Sequence, residues 1–374
     1  MKPEEVLKAF ISRSLGQNKA FALWFLPGEN RIKALIQQQA EVEELKHLED
    51  LHNRQGFVFV PFDQESTHPM LLLQEGQYFG GYESMEKWAG DAAQKSQAVE
   101  GSGPPLKQST KEVYLQQCNS IIRQIKNTGL AKVVLSRQMI IERDAASKHT
   151  ADILIQMKQS YPGAFCYLFY SRQSGMWMGA SPEILLQEEQ DHFLSIALAG
   201  TRTSSTPGAN GAWPEKDLKE QAFVSDFIAE KIQESGIQEY SVSGPETFKA
   251  GQVEHLRTDF RIPKPKATKR LGLLLQHLHP TPAVCGTPAL QAMQLIRETE
   301  NHDRAYYCGF FGPLNLDESV NLYVNLRCMK IQPEEFILYA GGGILEDSVA
   351  EDEWNETELK ATTLLSIIQD RKAT

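Results

Sequence analysis

Two acidic helix starts carry the residues best suited to chemistry. Asp217 and Glu220 stand three apart in DLKEQ, while Glu353, Glu356 and Lys360 stand three and four apart in EDEWNETELK. Residues at those spacings share a helix face, so two helices can present four carboxylates and one ammonium to a common point. Hard oxygen ligands of this kind suit Mg2+, which keeps several waters and takes one or two carboxylates directly, leaving the others to hold waters. The same spacing equally describes two solvated acidic faces.

Further candidates lie along the chain. Gly341-Gly342-Gly343 follows FILYA and precedes the acidic helix; a turn there leaves backbone N–H groups open to a carboxylate or phosphate, or is simply tight. Neither GxxxxGK[ST] nor GxGxxG occurs, so the common nucleotide loops have no support. Lys132 heads the apolar run Val133-Val134-Leu135. Burial would lower a lysine toward the range useful for a base, whereas a solvated first residue of a strand has no such role. Glu183, in Ser181-Pro182-Glu183, could be an acid with a raised pKa or an ordinary loop carboxylate. His255 in VEHLRT and the segment HPTPAVCGTP at 279–288 complete the set, the latter reading by default as a rigid lead into a helix.

These residues need elements to position them. A polar helix is expected over 40–52, then an apolar run over 57–62 bounded by Pro61, and 97–110 (QAVEGSGPPLKQST) is the candidate linker. After the cap candidates Ser109 and Thr110, the residues Tyr114, Cys118, Ile121, Ile122 and Ile125 recur at helical spacing, and Gly129 should stop that helix. Strands follow at KVVLSRQMII, AFCYLFY, MWMGA and SIALAG. A helix from about Glu215 has Phe223, Val224, Phe227, Ile228 and Ile232 on one face. SVNLYVNLRCMKI alternates as one strand, with Asn321, Tyr323, Asn325 and Arg327 on a polar face. Strands come in runs rather than in strict alternation with helices, which favours an antiparallel α+β architecture.

The 374 residues suffice for two domains of about 150 residues or one large one. Lys+Arg 38 against Asp+Glu 48 gives a net charge of -10, which argues against nucleic-acid binding. No apolar run approaches the roughly 20 residues of a spanning helix, and the N-terminus carries acids where a signal peptide would be basic, so no membrane association and a cytoplasmic location are expected. Cys118, Cys166, Cys285, Cys308 and Cys328 form no CxxC pair and read as reduced, buried thiols.

The motifs also have an order: KVVLSR, GASPE, AGTR at 199–202, DLKEQ, EHL, HPTPAVCGTP, ENHDRAYYCG, NLRC, YAGGGI and EDEWNETELK. That order resembles the chorismate-utilising enzymes from about Lys111 to the C-terminus, and among them the isochorismate synthases of menaquinone or siderophore pathways. Residues 1–108 match loosely. The resemblance implies an α+β fold like that of anthranilate synthase component I, with two stacked, largely antiparallel sheets and helices outside. It implies a chorismate-binding region over 109–374, with 1–108 packed into the same fold.

By the same resemblance Lys132 is the base that activates water and Glu183 the acid that protonates the leaving hydroxyl. Mg2+ is implied with Glu220 and Glu356 as direct ligands and Asp217 and Glu353 behind waters; the family usually has glutamate where Asp217 stands. Tyr307, Arg327, Gly341 and Gly343 match positions that hold the substrate's carboxylates, His255 and Lys360 line the cleft, and Thr201 lies in the AGTR turn. Ala283 stands where salicylate- and anthranilate-forming members carry Thr, and no LLES-type stretch for a tryptophan site is present. A salicylate synthase or an aminating member is the alternative. A non-catalytic partner subunit would have lost Lys132, Glu183, Glu220 or Glu356, and all four are present. No obligate protein partner is expected.

Overall fold

The segment Phe165–Ser171 sets the architecture. Phe165, Tyr167 and Phe169 point to one face of their strand, Cys166 and Leu168 to the other, and all five are buried. A strand apolar on both faces must be covered on both sides. In a computed structural model that describes residues 1–74, 76–90, 108–143, 147–203, 212–250 and 253–369, both are covered.

In chain order the strands are β1 (Phe21–Phe25), β2 (Lys33–Gln37), β3 (Glu43–Leu45), β4 (Gly56–Val60), β5 (Met70–Leu73), β6 (Gly76–Phe79), β7 (Lys132–Glu142), β8 (Phe165–Ser171), β9 (Gly175–Ser181), β10 (Ile184–Glu188), β11 (His192–Thr203), β12 (Ser241–Ala250), β13 (Val253–Pro263), β14 (Gly286–Thr287), β15 (Phe310–Leu314), β16 (Asn321–Val324), β17 (Cys328–Ile331) and β18 (Glu335–Ile344). The helices are α1 (Pro3–Gly16), α2 (Tyr82–Ala89), α3 (Lys111–Thr128), α4 (Thr150–Ser160), α5 (Glu215–Glu234), α6 (Lys264–Thr268), α7 (Leu271–Leu278), α8 (Ala289–Thr299) and α9 (Ala350–Ile368).

Among the described residues the strands form two nine-stranded sheets, ordered β14-β7-β18-β17-β9-β8-β1-β2-β6 and β12-β13-β11-β10-β16-β15-β4-β5-β3. Their ladders are antiparallel, giving the expected α+β class. The N-terminal strands belong to the same two sheets: β1, β2 and β6 extend the first, and β3, β4 and β5 the second.

Aromatic rings fill the space between the sheets, with Phe59 stacked on Phe169 at 4.5 Å and on Tyr306 at 4.4 Å. On the outer face of the first sheet, Leu168 and Met178 pack with Phe10 of α1, Leu154 of α4 and Leu364 of α9. The helix α3 buries Tyr114, Cys118, Ile121, Ile122 and Ile125, starts on the Thr110 side chain, which accepts from Val113 N–H, and ends at Gly129 with φ +74°. All five cysteines are buried and free. No helix among the described residues is long and apolar enough to cross a membrane.

Three expectations need correction. The 40–52 segment is the short strand β3 followed by a 3-10 turn, because Glu43–Leu45 pairs with β5. SVNLYVNLRCMKI is two strands: β16 lies in the second sheet and β17 in the first, and the chain crosses between them at Arg327, whose φ is +48°. Both faces of β16 are buried, so the alternation marks hydrogen-bonded polar residues in the interior rather than solvent. On α5, Val224, Ile228 and Ile232 are buried, but Phe223 is 36% exposed. Residues 97–107 of the linker candidate lie outside the described residues.

Candidate active site

β7 starts at Lys132 and pairs along its length with β18, placing Gly343 opposite Val134, Gly342 opposite Leu135 and Gly341 opposite Ser136. The glycine run is therefore strand, not the turn expected from its composition. What needs glycine there is space for other side chains. A Cβ on Gly343 would stand 2.5 Å from Lys132 Cε and 3.2 Å from its Nζ; on Gly342, 3.2 Å from Glu353 Oε2; and on Gly341, 3.0 Å from the Tyr307 hydroxyl. Three candidate residues, Lys132, Glu353 and Tyr307, thus meet three bare positions of one strand.

Lys132 is buried, and its Nζ donates to Glu220 Oε1 at 2.7 Å. That contact ties β7 to α5, the helix predicted to present Asp217 and Glu220. The first turn of α5 lies over Gly200 of β11, where an added Cβ would reach 3.0 Å from Asp217 Cβ. On α9, Glu353 is buried and accepts from Ser348 Oγ at 2.7 Å. Glu356 pairs with Lys360 at 2.5 Å, and Lys360 Nζ also donates to the Gly341 carbonyl at 2.9 Å. Glu353, Glu356 and Lys360 therefore share one face of α9, as their spacing predicted. Among the described residues no three carboxylate, imidazole or thiol side chains lie close enough together to hold a metal ion; Glu220 and Glu356 each meet a lysine instead.

Glu183 follows β9, and its carbonyl accepts from Val324 N–H at 3.0 Å. Burial pushes its carboxyl up to about 7, against the opposing pull of Lys132, then Lys360 and Arg327. Such a group is part-protonated near neutrality, as a general acid must be. Arg327 stands at the crossover between the sheets, where burial lowers its guanidinium while Tyr307, Glu356 and Glu183 hold it up. Tyr307 is buried and stacks on Tyr339 at 5.3 Å, and burial holds its phenol protonated, well above the ordinary range. His255 Nδ1 lies 3.1 Å from the Gly200 carbonyl, and burial lowers its pKa. Thr201 pairs through its backbone with His255 in the β11–β13 ladder; its side chain lies outside the described residues.

Ala283 sits half-buried in the Pro-rich segment before α8. This segment turns on the Thr281 carbonyl, which accepts from Val284 and Cys285 N–H, and reaches β7 through Val134 N–H donating to the Cys285 carbonyl at 2.8 Å.

Two arginines that hold this frame escaped the sequence reading. Arg137 is 1% exposed and lies 3.8 Å over the Trp354 ring; its Nε donates to Thr357 Oγ1 at 2.7 Å, so it clamps α9 to β7. Arg304 and Glu300 form an ion pair with both side chains 3% exposed. All lie in the quoted motifs KVVLSR, EDEWNETELK and ENHDRAYYCG, and a charged residue inside an apolar strand or beside a buried tyrosine pair was the available signal. A separate depression of about 420 Å3, lined in part by Arg54, Glu188, Phe193 and Lys264, contains none of the candidate residues, and its Lys264 and Glu188 already pair.

Comparison with known proteins bears on this geometry. The family described as "Chorismate binding enzyme" matches residues 74–369. The chain is 28% identical over 318 residues to isochorismate synthase EntC of Escherichia coli K12, covering 82% of this chain and 79% of that one. Its fold is similar to that of MenF, the menaquinone-specific isochorismate synthase from Escherichia coli, with a TM-score of 0.74 and 22% identity over 96% of this chain and 91% of that one. It is also similar to anthranilate synthase component I from Streptococcus pneumoniae TIGR4, with a TM-score of 0.66 and 19% identity over 92% and 89% of the two chains.

Proposed function

This chain belongs to the chorismate-binding enzyme family, and on that premise we propose that it is an isochorismate synthase, an isomerase that adds water at C2 of chorismate as the C4 hydroxyl departs. The observation that carries the reading is the opposed pair at the cleft: Lys132, buried at the head of β7, and Glu183, whose carboxyl burial lifts to about 7 within reach of the Lys132 charge.

The steps balance as follows. Lys132 accepts a proton from the attacking water, whose oxygen bonds to C2. Both ring double bonds shift by one position, C1=C2 and C5=C6 becoming C1=C6 and C4=C5, and the C4–O bond breaks as Glu183 gives its proton to the departing oxygen, which leaves as water. A net proton return from Lys132 to Glu183 restores the resting enzyme. Tyr307 and Arg327, beside Gly341 and Gly343, receive the substrate's carboxylates, and Lys360 holds the Gly341 strand in place. His255 of β13, whose backbone pairs with Thr201 of β11, is a further polar group for the substrate. Ala283 offers no hydroxyl to orient the product for pyruvate elimination.

The carboxylates of Glu220 and Glu356, each paired with a lysine in this structure, with Asp217 and Glu353 behind them, would have to turn toward one another to offer a hard divalent cation its oxygens. Mg2+ held by these residues would supply positive charge against the substrate carboxylate, without which four carboxylates would repel a dianion. The expected location is the cytoplasm, and no nucleic acid, membrane or obligate protein partner enters the reading.

Turnover in water enriched in heavy oxygen tests the chemistry. Label in the C2 hydroxyl of isochorismate is expected, and isochorismate that carries only the oxygen of the starting chorismate would contradict attack by water.

A further inference from the structure

The edge of β7 that faces away from β18 is paired by β14 only at Lys132 and Val133. One residue further, Val134 N–H still reaches the Cys285 carbonyl, and then the neighbouring strand is gone. Backbone groups buried without a partner cost free energy, so something must take the strand's place. The Glu300–Arg304 pair does so. Arg304 Nη2 donates to the Val134 carbonyl at 2.7 Å, and Glu300 Oε1 accepts from Ser136 N–H at 2.6 Å. The two side chains are locked to each other through Arg304 Nη2 with Glu300 Oε1 at 2.6 Å and Nε with Oε2 at 2.8 Å.

The remaining donor makes the arrangement more than a substitute strand. Arg304 Nη1 donates to the Val284 carbonyl at 2.9 Å, so one planar guanidinium bridges β7, two residues from Lys132, and the segment carrying Ala283. The Arg304 carbonyl also accepts from Tyr307 N–H at 2.8 Å, and the guanidinium lies 4.3 Å over the Phe62 ring, which fixes its plane. His302 adds a contact between its Nε2 and Ser136 Oγ at 2.9 Å.

We propose that Arg304, held by Glu300, is a positioning residue that sets the separation between the Lys132 strand and the Ala283 segment and so governs both the rate of water addition and how often the product stays intact. This rests on the isochorismate synthase reading. Lysine at 304 keeps the charge but offers a single nitrogen, which cannot span the Val134 and Val284 carbonyls and Glu300 together.

The test compares Arg304→Lys and Glu300→Gln with the wild type and with Leu168→Ala, a change in the outer core far from these contacts, all assayed well below their melting temperatures. Displacement of the catalytic strand by about 1 Å costs on the order of 100-fold. Arg304→Lys is therefore expected to lose roughly 10- to 100-fold in kcat with KM within about threefold, and to release several-fold more pyruvate per isochorismate formed. Glu300→Gln, which keeps the side chain's shape, is expected to move both quantities the same way by less, and it carries the test alone if the lysine variant does not fold. If the variants match Leu168→Ala in kcat and in pyruvate yield, the pair is only structural and the proposal is overturned. A wild type that makes no isochorismate would instead overturn the reading beneath it.

Discussion

The amine of Lys132 and the carboxylate of Glu220 meet at 2.7 Å, with the lysine side chain 4% exposed and the glutamate 24%. The first residue of a sheet strand is thereby joined to a helix that carries two of the four acidic candidates. Lys132→Ala should leave the sheets intact while lowering kcat by about 100- to 10,000-fold, the range for losing a general base. Circular dichroism and steady-state rates on the same sample check this, and a variant with near-normal kcat would show that water is activated by another group.

Glu183→Gln keeps the side chain's shape but cannot give a proton. The expected result is a large loss in kcat with KM little changed, and a loss wholly in KM would show that Glu183 binds and does not protonate.

The raised carboxyl also fixes the pH dependence. Glu183 must be protonated to act, so the wild-type rate should fall as pH rises through about 7. For stability the sign is the same. A folded-state pKa above the unfolded value means the native state holds more protons between 4.5 and about 7, so stability declines as pH rises through that window. Denaturation of Glu183→Gln across the window should show a shallower decline than the wild type, and an equal decline would assign it to other groups.

Gly343→Ala places a Cβ 2.5 Å from Lys132 Cε, the far part of a flexible side chain rather than backbone. The fold should accommodate it by moving Lys132, with a kcat loss on the order of 100-fold and a small change in melting temperature. A fully active Gly343→Ala would mean that the position of the Lys132 amine is unimportant.

How much of this was legible in the chain depended on whether a residue's role was local. The helical spacing of Glu353, Glu356 and Lys360 is local, and the face it predicted is the one observed. The glycine run was misread because its place is decided by a partner 200 residues away: β7 draws it into a ladder, and the side chains it makes room for come from α9, β7 and the turn at Tyr307. Arg327 was misplaced because the alternating pattern on either side of it continues while the chain passes from one sheet to the other. Glu300 and Arg304 stand four apart and could pass for a surface helix pair, and only tertiary burial reveals what they hold.

Removal of divalent cations should abolish turnover, and Glu220→Ala or Glu356→Ala should do the same by taking away oxygens proposed to hold Mg2+. Isothermal titration with Mg2+ alone gives a readout apart from activity, with binding weakened in both variants. Full turnover after exhaustive chelation would sink the metal assignment.

The most direct test is one incubation of the purified wild-type protein with chorismate and Mg2+, with the products separated by chromatography and pyruvate followed in parallel. The account predicts isochorismate as the dominant product, with little pyruvate. No consumption of chorismate, or pyruvate and salicylate in equal amounts with no isochorismate accumulating, would contradict it.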